Sequence, residues 1–361
     1  MVVQIPLGYK TSLEDIAAVI SSILEARNLI IICGAGVSVS AGIPDFRSSQ
    51  GLFTTGALSK DLLDANVWNT TTKALSLCKI LAIMHQECSQ ASPTPFHLAL
   101  KMLDEKGGLL HVYTQNIDFL ESKAGLSFGI PQMHSPQDMP RCIPLHGTLE
   151  TLACIKCCYQ SPLHLHVSTL VTGCLPLCPA CEQIEHERRI CHKRPRTSGT
   201  LTPTIVLYGQ THPAADHLAQ AIMRDANGNS KKVKPDVLLV ASTSLKIPGI
   251  IAAVHKFSQA VHSQEFRGGY RSIYLDQKPL SSKWDGIFDT WVSGDLQIFA
   301  QHLIRSLSHQ FDQSIDDAIC SKDSTTISIL VQDLSSKASF SLKGKKHIFL
   351  NVDHPFYIPE I

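Results

Sequence analysis

The 361-residue sequence contains no uninterrupted run of 18 apolar residues, about the length an α-helix needs to cross a bilayer, so no membrane span is expected. Neither sign of charge prevails. Thirty-two Lys and Arg stand against 31 Asp and Glu, and net charge therefore names no polyanionic partner. No internal repeat is visible, which sets repeat arrays aside. A signal peptide is also missing from the reading: Leu13, Ile16, Ala17, Ile20, Ile23 and Leu24 recur at helical spacing, with Glu14 and Asp15 in the first turn after Ser12. Twelve cysteines would suit a secreted disulfide scaffold, but a chain this long and apolar needs no staples. Without a leader, reduced thiols and metal ligation are expected. The length suits one main domain with a smaller module.

The chain is organised around residues 33–53, CGAGVSVSAGIPDFRSSQGLF. The preceding NLIII, residues 28–32, is a short apolar run rich in β-branched residues, as a fully buried parallel strand reads. It runs into Gly34-Ala35-Gly36, and a strand, a glycine turn and a helix start let backbone N–H groups approach a pyrophosphate. The same tripeptide also serves as a tight turn with no ligand, and the dinucleotide fingerprint is incomplete, with Val39 at its third glycine position. Residues 42–47, GIPDFR, add a fixed turn, a carboxylate, a ring and a guanidinium just beyond, which suits a charged leaving group.

Helix and strand alternate along the chain, the pattern of a parallel α/β sheet. Helices are expected around 74–84, over 95–106 with a stop at Gly107-Gly108, over 214–226, near 250–262 and over 296–307. Strands are expected at 109–113, 143–145, 204–207, 236–241 and 272–275. From Ser308 the sequence turns polar and loses periodicity, apart from 327–331 and 347–352.

The stretch 154–203 breaks the alternation. Cys154-x-x-Cys157 and Cys178-x-x-Cys181, with 20 residues between the pairs, match the two-knuckle spacing of a structural zinc site. Four thiolates close a tetrahedral shell and leave no position for substrate, so the metal is expected to be structural. Cys158 and Cys174 compete as the outer ligand of each pair. Gln115-Asn116-Ile117-Asp118 ends a predicted strand, where ligands bind in open α/β sheets; Asn and Asp there also suit a helix cap. His146, one of 17 histidines, ends another strand in LHGTL, and imidazole has a pKa suited to proton transfer near neutrality.

From about Leu13 to about Arg305 the sequence resembles the sirtuins, NAD-dependent protein lysine deacylases. Their signature GAGxSxxxGIPDFR is matched at every fixed position from Gly34 to Arg47, and TQNIDFLESKAG resembles their TQNID segment. The resemblance implies that Gly34, Ala35, Gly36 and Ser38 hold the pyrophosphate region. It places Asp45, Phe46 and Arg47 at the reacting end. Gln115, Asn116 and Ile117 would hold the nicotinamide ribose, Asp118 the carboxamide, and His146 would be the general base with Asn116 beside it. The sirtuin zinc module lies in the same place, which supports the four cysteines. PTIVLYGQTHP resembles the channel for an extended acetyl-lysine peptide, so Val206, Leu207, Tyr208 and Gly209 would bind substrate through backbone bonds; Gln210 replaces the usual Glu. LVASTSLKI resembles the loop on the cofactor phosphate and ribose, giving Ser242, Thr243 and Ser244. Ser242 stands where Gly is usual, and Ser lacks glycine's freedom at positive φ, so the loop is expected to bend differently or bind more weakly. Asp276, where an Asn is usual, and Leu296, where a Cys is common, would meet the adenosine half.

These readings give a Rossmann-like parallel-sheet domain, residues 12–150 and 204–307, with a small zinc-binding module at 151–203 and a C-terminal extension at 308–361. The resemblance implies an NAD-dependent protein deacetylase with one structural Zn2+, transferring the acyl group to ADP-ribose with release of nicotinamide. Residues 47–53 and 205–209 are most similar to the fungal nuclear branch that acts on histone lysines. This gives acetylated histone as partner and the nucleus, with cytoplasm second, as the location. Arg188, Arg189, Lys193, Arg194 and Arg196 form a basic insert suited either to nucleosomal DNA or to a solvated loop. A mono-ADP-ribosyltransferase and a catalytically weak NAD-binding scaffold are the alternatives.

Overall fold

Leu29, Ile31 and Cys33 pack into one hydrophobic core and Ile30 and Ile32 into another, because successive side chains of a strand point to opposite faces. That alternation places their strand at the centre of the molecule, covered on both sides. In the computed structural model, which describes residues 2–7, 13–45, 51–52, 54, 56, 58–132, 139–228, 234–265 and 269–321, the chain falls into two compact units, 1–307 and 308–361.

The strands of the large sheet are β1 (Val3–Pro6), β2 (Leu29–Cys33), β3 (Leu109–Thr114), β4 (Cys142–Pro144), β8 (Val237–Ala241), β9 (Ser272–Leu275) and β10 (Thr290–Ser293). They pair in the order β1-β10-β9-β8-β2-β3-β4, every pair parallel. On one face lie α1 (Leu13–Glu25), α3 (Pro95–Lys106) and the start of α9 (Leu296–Ser321). On the other lie α7 (Ala215–Asn227) and α8 (Pro248–His262). The order reverses direction between β2 and β8, which makes the crevice at their carboxyl ends the switch point where such sheets bind ligands. The amide of Gly34 donates to the Ala241 carbonyl across it at 3.1 Å.

A second sheet of three strands, order β6-β5-β7, is antiparallel. It is built from β5 (Gly147–Cys154), β6 (Gln160–Pro162) and β7 (Leu201–Ile205). With α5 (Val167–Val171) and α6 (Pro179–Ile190) it shares a small core with Cys78 and Ala82 of α2 (Thr71–Gln90). The short α4 (Leu120–Lys123) follows β3.

The structure departs from the sequence reading in four places. The run at 204–207 does not resume the parallel sheet: β7 pairs with β5 in the small one. Strands β1 and β10 form the far edge of the large sheet, where no strand was expected. The last helix continues past residue 307 to Ser321. The glycine loop is followed not by an α-helix but by two short 3-10 turns, Ala35–Val37 and Val39–Ala41. The tail runs at 327–331 and 347–352 lie outside the described residues.

Candidate active site

The loop after β2 approaches the loop after β8 too closely for side chains. A Cβ added to Gly34 would come 2.7 Å from the Ser242 carbonyl oxygen, and one on Gly36 would come 2.7 Å from the Ser242 Cβ. Glycine is needed at both for that reason. Ser242 itself adopts φ +50°, so the loop keeps a left-handed turn despite its side chain. Gly42 turns at φ +85° and carries the chain to Asp45, whose carbonyl accepts from the Leu52 amide at 2.8 Å. Phe46 and Arg47 lie outside the described residues.

The end of β3 is fastened to this loop. The Gln115 amide donates to the Cys33 carbonyl at 2.9 Å, and Gln115 Nε2 donates to Thr243 Oγ1 at 2.8 Å. Asn116 is buried. Its Nδ2 donates to Ser38 Oγ at 3.4 Å, while its Oδ1 has no partner among the described residues. A buried amide oxygen left unpaired is costly, and here it would accept a hydroxyl from a bound ribose. The unpaired oxygen and the glycine cradle together fit a dinucleotide. Asp118 is buried behind Asn116 and bonds Ser38.

His146 sits between the two sheets. Its Nδ1 donates to the Gln115 carbonyl at 2.9 Å. A carbonyl only accepts, so the proton is on Nδ1 and Nε2 carries the free lone pair. Burial pulls the imidazole below its ordinary pKa, and the bond to Gln115 offsets part of that. Such a ring is neutral at pH 7 and able to take a proton. His146 also holds the substrate side, since its carbonyl accepts from the Val206 amide at 2.9 Å.

Gly34, Ala35, Gly36, Asp45, Gln115, Asn116, Ile117, Ser242, Thr243 and Ser244 line one cavity of about 360 Å3, together with His146, Val206, Leu207, Tyr208 and Gly209. Ser38 and Asp118 lie behind it. Two expected contacts are not brought there. Leu296 packs into the core between α1 and α3. Asp276 faces its own turn: its Oδ1 accepts from the Lys278 amide at 2.9 Å, and its carbonyl from Trp291 Nε1 at 2.9 Å. Burial raises the pKa of its carboxyl.

The substrate segment is also less open than expected. The amides of Val206, Leu207 and Tyr208 donate to the His146 carbonyl, Gln210 Oε1 and the Leu63 carbonyl. The Tyr208 carbonyl accepts from the Ala65 amide at 2.9 Å. The Val206 and Tyr208 N–H groups are thus taken by backbone carbonyls, and that of Leu207 by a side chain. Sequence reading missed Leu63 and Pro248 and gave no role to Ile205 and Ile247 within their matched segments; the four form the apolar wall of the cavity, and isolated aliphatic residues carry no local signal of a site. It also missed His212, whose Nδ1 accepts from the Ala214 amide at 2.9 Å. Burial and the nearby His146 lower its pKa.

The sulfurs of Cys154, Cys157, Cys178 and Cys181 all lie within 4.8 Å of one another. Cys154 to Cys181 measures 3.7 Å and Cys157 to Cys178 measures 3.5 Å. A zinc with Zn–S bonds of about 2.3 Å requires tetrahedral edges of roughly 3.8 Å, so the four thiols fit. A Cβ on Gly199 would strike Cys154 Sγ at 2.5 Å, which explains a glycine there. Cys158 and Cys174 are exposed and outside the cluster. The basic insert begins in the last turn of α6 and folds back on that helix. Arg188 Nη2 donates to the Arg194 carbonyl at 2.7 Å, and Glu185 takes the Arg189 guanidinium at 3.2 Å and the Arg196 amide at 2.8 Å.

Residues 34–248 match the Sir2 family. The chain is 35% identical over 310 residues to the NAD-dependent protein deacetylase hst4 of Schizosaccharomyces pombe, covering 83% of this chain and 72% of that protein. It is 33% identical over 309 residues to the NAD-dependent histone deacetylase HST3 of Saccharomyces cerevisiae, with 80% and 67% covered. Among solved structures, a Sir2 homologue mutant in complex with ADP-ribose superposes with a TM-score of 0.60 at 21% identity, over 81% of this chain and 97% of that one. Sir2 bound to acetylated peptide gives 0.59 at 21% identity, over 82% and 98%.

Proposed function

The chain belongs to the Sir2 family, and from that we propose that it is an NAD-dependent protein lysine deacetylase acting on histones. One observation carries the reading: the neutral Nε2 of His146 and the unpaired Oδ1 of Asn116 stand at one cavity with the glycine cradle at the sheet's switch point.

When bound, NAD supplies a ribose carbon that loses nicotinamide and accepts the acyl oxygen. The residues do the rest. Gly34 lets the chain approach closely, and the backbone amides of Ala35 and Gly36, with Ser242, Thr243 and Ser244, would hold the phosphates and neighbouring ribose. Asn116 Oδ1 accepts a hydroxyl of the nicotinamide ribose, and Gln115 and Ile117 flank it. Asp118 and Ser38 serve the carboxamide end. Asp45, with Phe46 and Arg47, orders the reacting end and excludes water. His146 Nε2 takes the proton from a ribose hydroxyl, as general-base catalysis requires. Leu63, Leu207 and Ile247 enclose the apolar lysine stem, and the peptide backbone pairs at Gly209.

The four cysteine thiolates hold one structural zinc in residues 151–203, a module set into a catalytic domain of residues 12–150 and 204–307. Their closed shell gives the metal no part in the reaction. Residues 308–361 form an extension. The histone substrate places the protein in the nucleus, where Arg188, Arg189, Lys193, Arg194 and Arg196 meet nucleosomal DNA. The test is incubation of purified protein with acetylated histone with and without NAD. Deacetylation with nicotinamide released in equal amount is expected. Transfer of label from NAD to protein without deacetylation would identify an ADP-ribosyltransferase instead.

A further inference from the structure

Behind the cavity, three buried groups meet in a closed cluster: His97 of α3, Asp118, and Glu121 of α4, with ligand atoms within 4.8 Å of one another. His97 Nε2 and Glu121 Oε2 have no hydrogen-bond partner among the described residues. The grouping looks like a metal site, but its tautomer argues otherwise. The Thr94 amide donates to His97 Nδ1 at 3.2 Å, and Thr94 Oγ1 lies 2.8 Å from the same nitrogen; with Nδ1 assigned as the acceptor of this capping box, the ring's proton is on Nε2. A protonated nitrogen cannot ligate a cation; it can donate to a carboxylate.

We propose that Glu121 is a positioning residue for the cofactor pocket, holding a proton so that it and Asp118 together carry a single negative charge beside His97. The inference rests on the reading of Asp118 as the residue at the carboxamide end. An ionised Asp118 accepts from the carboxamide NH2; a neutral one does not do so in the same way. Glu121 therefore holds the proton that Asp118 must not carry.

The surroundings leave little alternative. Asp118 Oδ1 accepts from the Leu120 amide at 3.1 Å and the carboxyl also bonds Ser38. Glu121 Oε1 accepts from Thr114 Oγ1 at 2.6 Å and faces the Cys33 thiol at 3.6 Å. The thiols of Cys33 on β2 and Cys142 on β4 are pushed well up by burial and stay neutral. Cys88 on α2, near Asp118, is raised to about 12, again by burial. His97 is held neutral by burial, at about 4. The remaining cation, Lys123, is tied at the rim to the Cys88 and Ser89 carbonyls at 3.1 and 2.9 Å. Two carboxylates in one dry cluster, with no buried cation among the described residues, do not both ionise. Burial, then the charge of Asp118, lifts Glu121 to about 7, and burial raises Asp118 as well.

Infrared spectroscopy of the free protein tests this, because a neutral carboxylic acid has a carbonyl stretch that a carboxylate lacks. The parent should show such a band that fades as the pH rises through neutrality. Glu121→Gln should lack it, and Asp118→Asn, which removes the like charge, should make it fade at lower pH by about one unit or more. In calorimetric titrations with NAD, Glu121→Gln should keep the parent's acid limb, because the neutral amide stands in for the protonated carboxyl. If Glu121→Gln does not fold, Thr114→Val serves: without the hydroxyl donor the band should persist to higher pH. No band in the parent, a band that survives in Glu121→Gln, or an Asp118→Asn band at the parent's pH would overturn the proposal. The spectra need no turnover, so the band with no deacetylation defeats the functional reading alone, and deacetylation without the band defeats this one alone.

Discussion

The side chain of Ser242 occupies the place a side chain on Gly36 would need: a Cβ built on Gly36 comes 2.7 Å from the Ser242 Cβ and 3.0 Å from its Oγ. The two residues belong to the loops after β2 and β8, so the contact sets the width of the phosphate cradle. It is bought with backbone strain, since Ser242 holds φ +50°, a conformation that costs an L-residue about 1–2 kcal/mol.

Ser242→Gly should therefore raise thermal stability by up to about 1 kcal/mol, the relieved strain being partly cancelled by the greater freedom of glycine in the unfolded chain. It should also lower the Michaelis constant for NAD with little change in kcat, because the phosphate end is bound alike in ground and transition states. Unchanged melting and an unchanged constant would show that Ser242 is accommodated without strain.

His146→Ala should cut kcat on the order of a hundredfold to ten-thousandfold and leave NAD affinity nearly intact. In the parent, protonation of the imidazole removes the base, so activity falls as the pH drops through its pKa. Burial lowers that pKa, and the acid limb of kcat/KM should lie below the ordinary 6.5 of histidine. A limb at or above that value would mean that the ring gains a stabilised charge in the folded protein.

Cys178→Ser should lose zinc and soluble protein together, because metal binding in such modules is folding free energy. Cys178 is fully buried in the core shared with α2, so the effect should spread beyond the knuckles. Metal analysis of the soluble fraction decides it: a folded, active, metal-free variant contradicts the assignment.

Glu185→Gln should loosen the basic insert, since this carboxylate takes both the Arg189 guanidinium and the Arg196 amide. If the insert meets nucleosomal DNA, activity on nucleosomes should fall with salt more steeply than on a short peptide. Neutralising Arg188, Arg189, Lys193, Arg194 and Arg196 should flatten that difference and spare peptide turnover. Equal salt dependence in parent and variant would mark a solvated loop.

The centre of the fold was legible and its margins were not. Residues 28–32 read as a buried strand because every side chain of β2 is apolar and covered, and Gly107 read as a helix stop because it turns at φ +85°. Strand β1 has only Ile5 buried, so no alternation marked it. Strand β7 carries Pro203, which weakens a strand signal, and its partner β5 is set by pairing across some fifty residues that no local pattern encodes. At the site, matched segments located Gly34, Asn116 and His146, but single-position resemblance at Asp276 and Leu296 did not give side-chain direction. Ser242 was expected to bend the loop differently or weaken binding; the backbone keeps the left-handed turn at φ +50°, which leaves the second alternative to the Ser242→Gly test.

Strand β5 begins at Gly147, directly after His146, and β7 ends at Ile205, directly before the Val206 whose amide meets the His146 carbonyl. Gly147 turns at φ +77° with Thr204 packed where its side chain would be. Entry to and exit from the zinc-bearing segment are thus clasped at one point, which makes residues 147–205 an exchangeable cassette. Chimeras with other Sir2 proteins that cut just outside both ends would exchange the zinc-bearing segment while leaving the histidine and residues 206–209 in their host's register. A junction placed within β5 or β7 would break the clasp and cost the base its alignment.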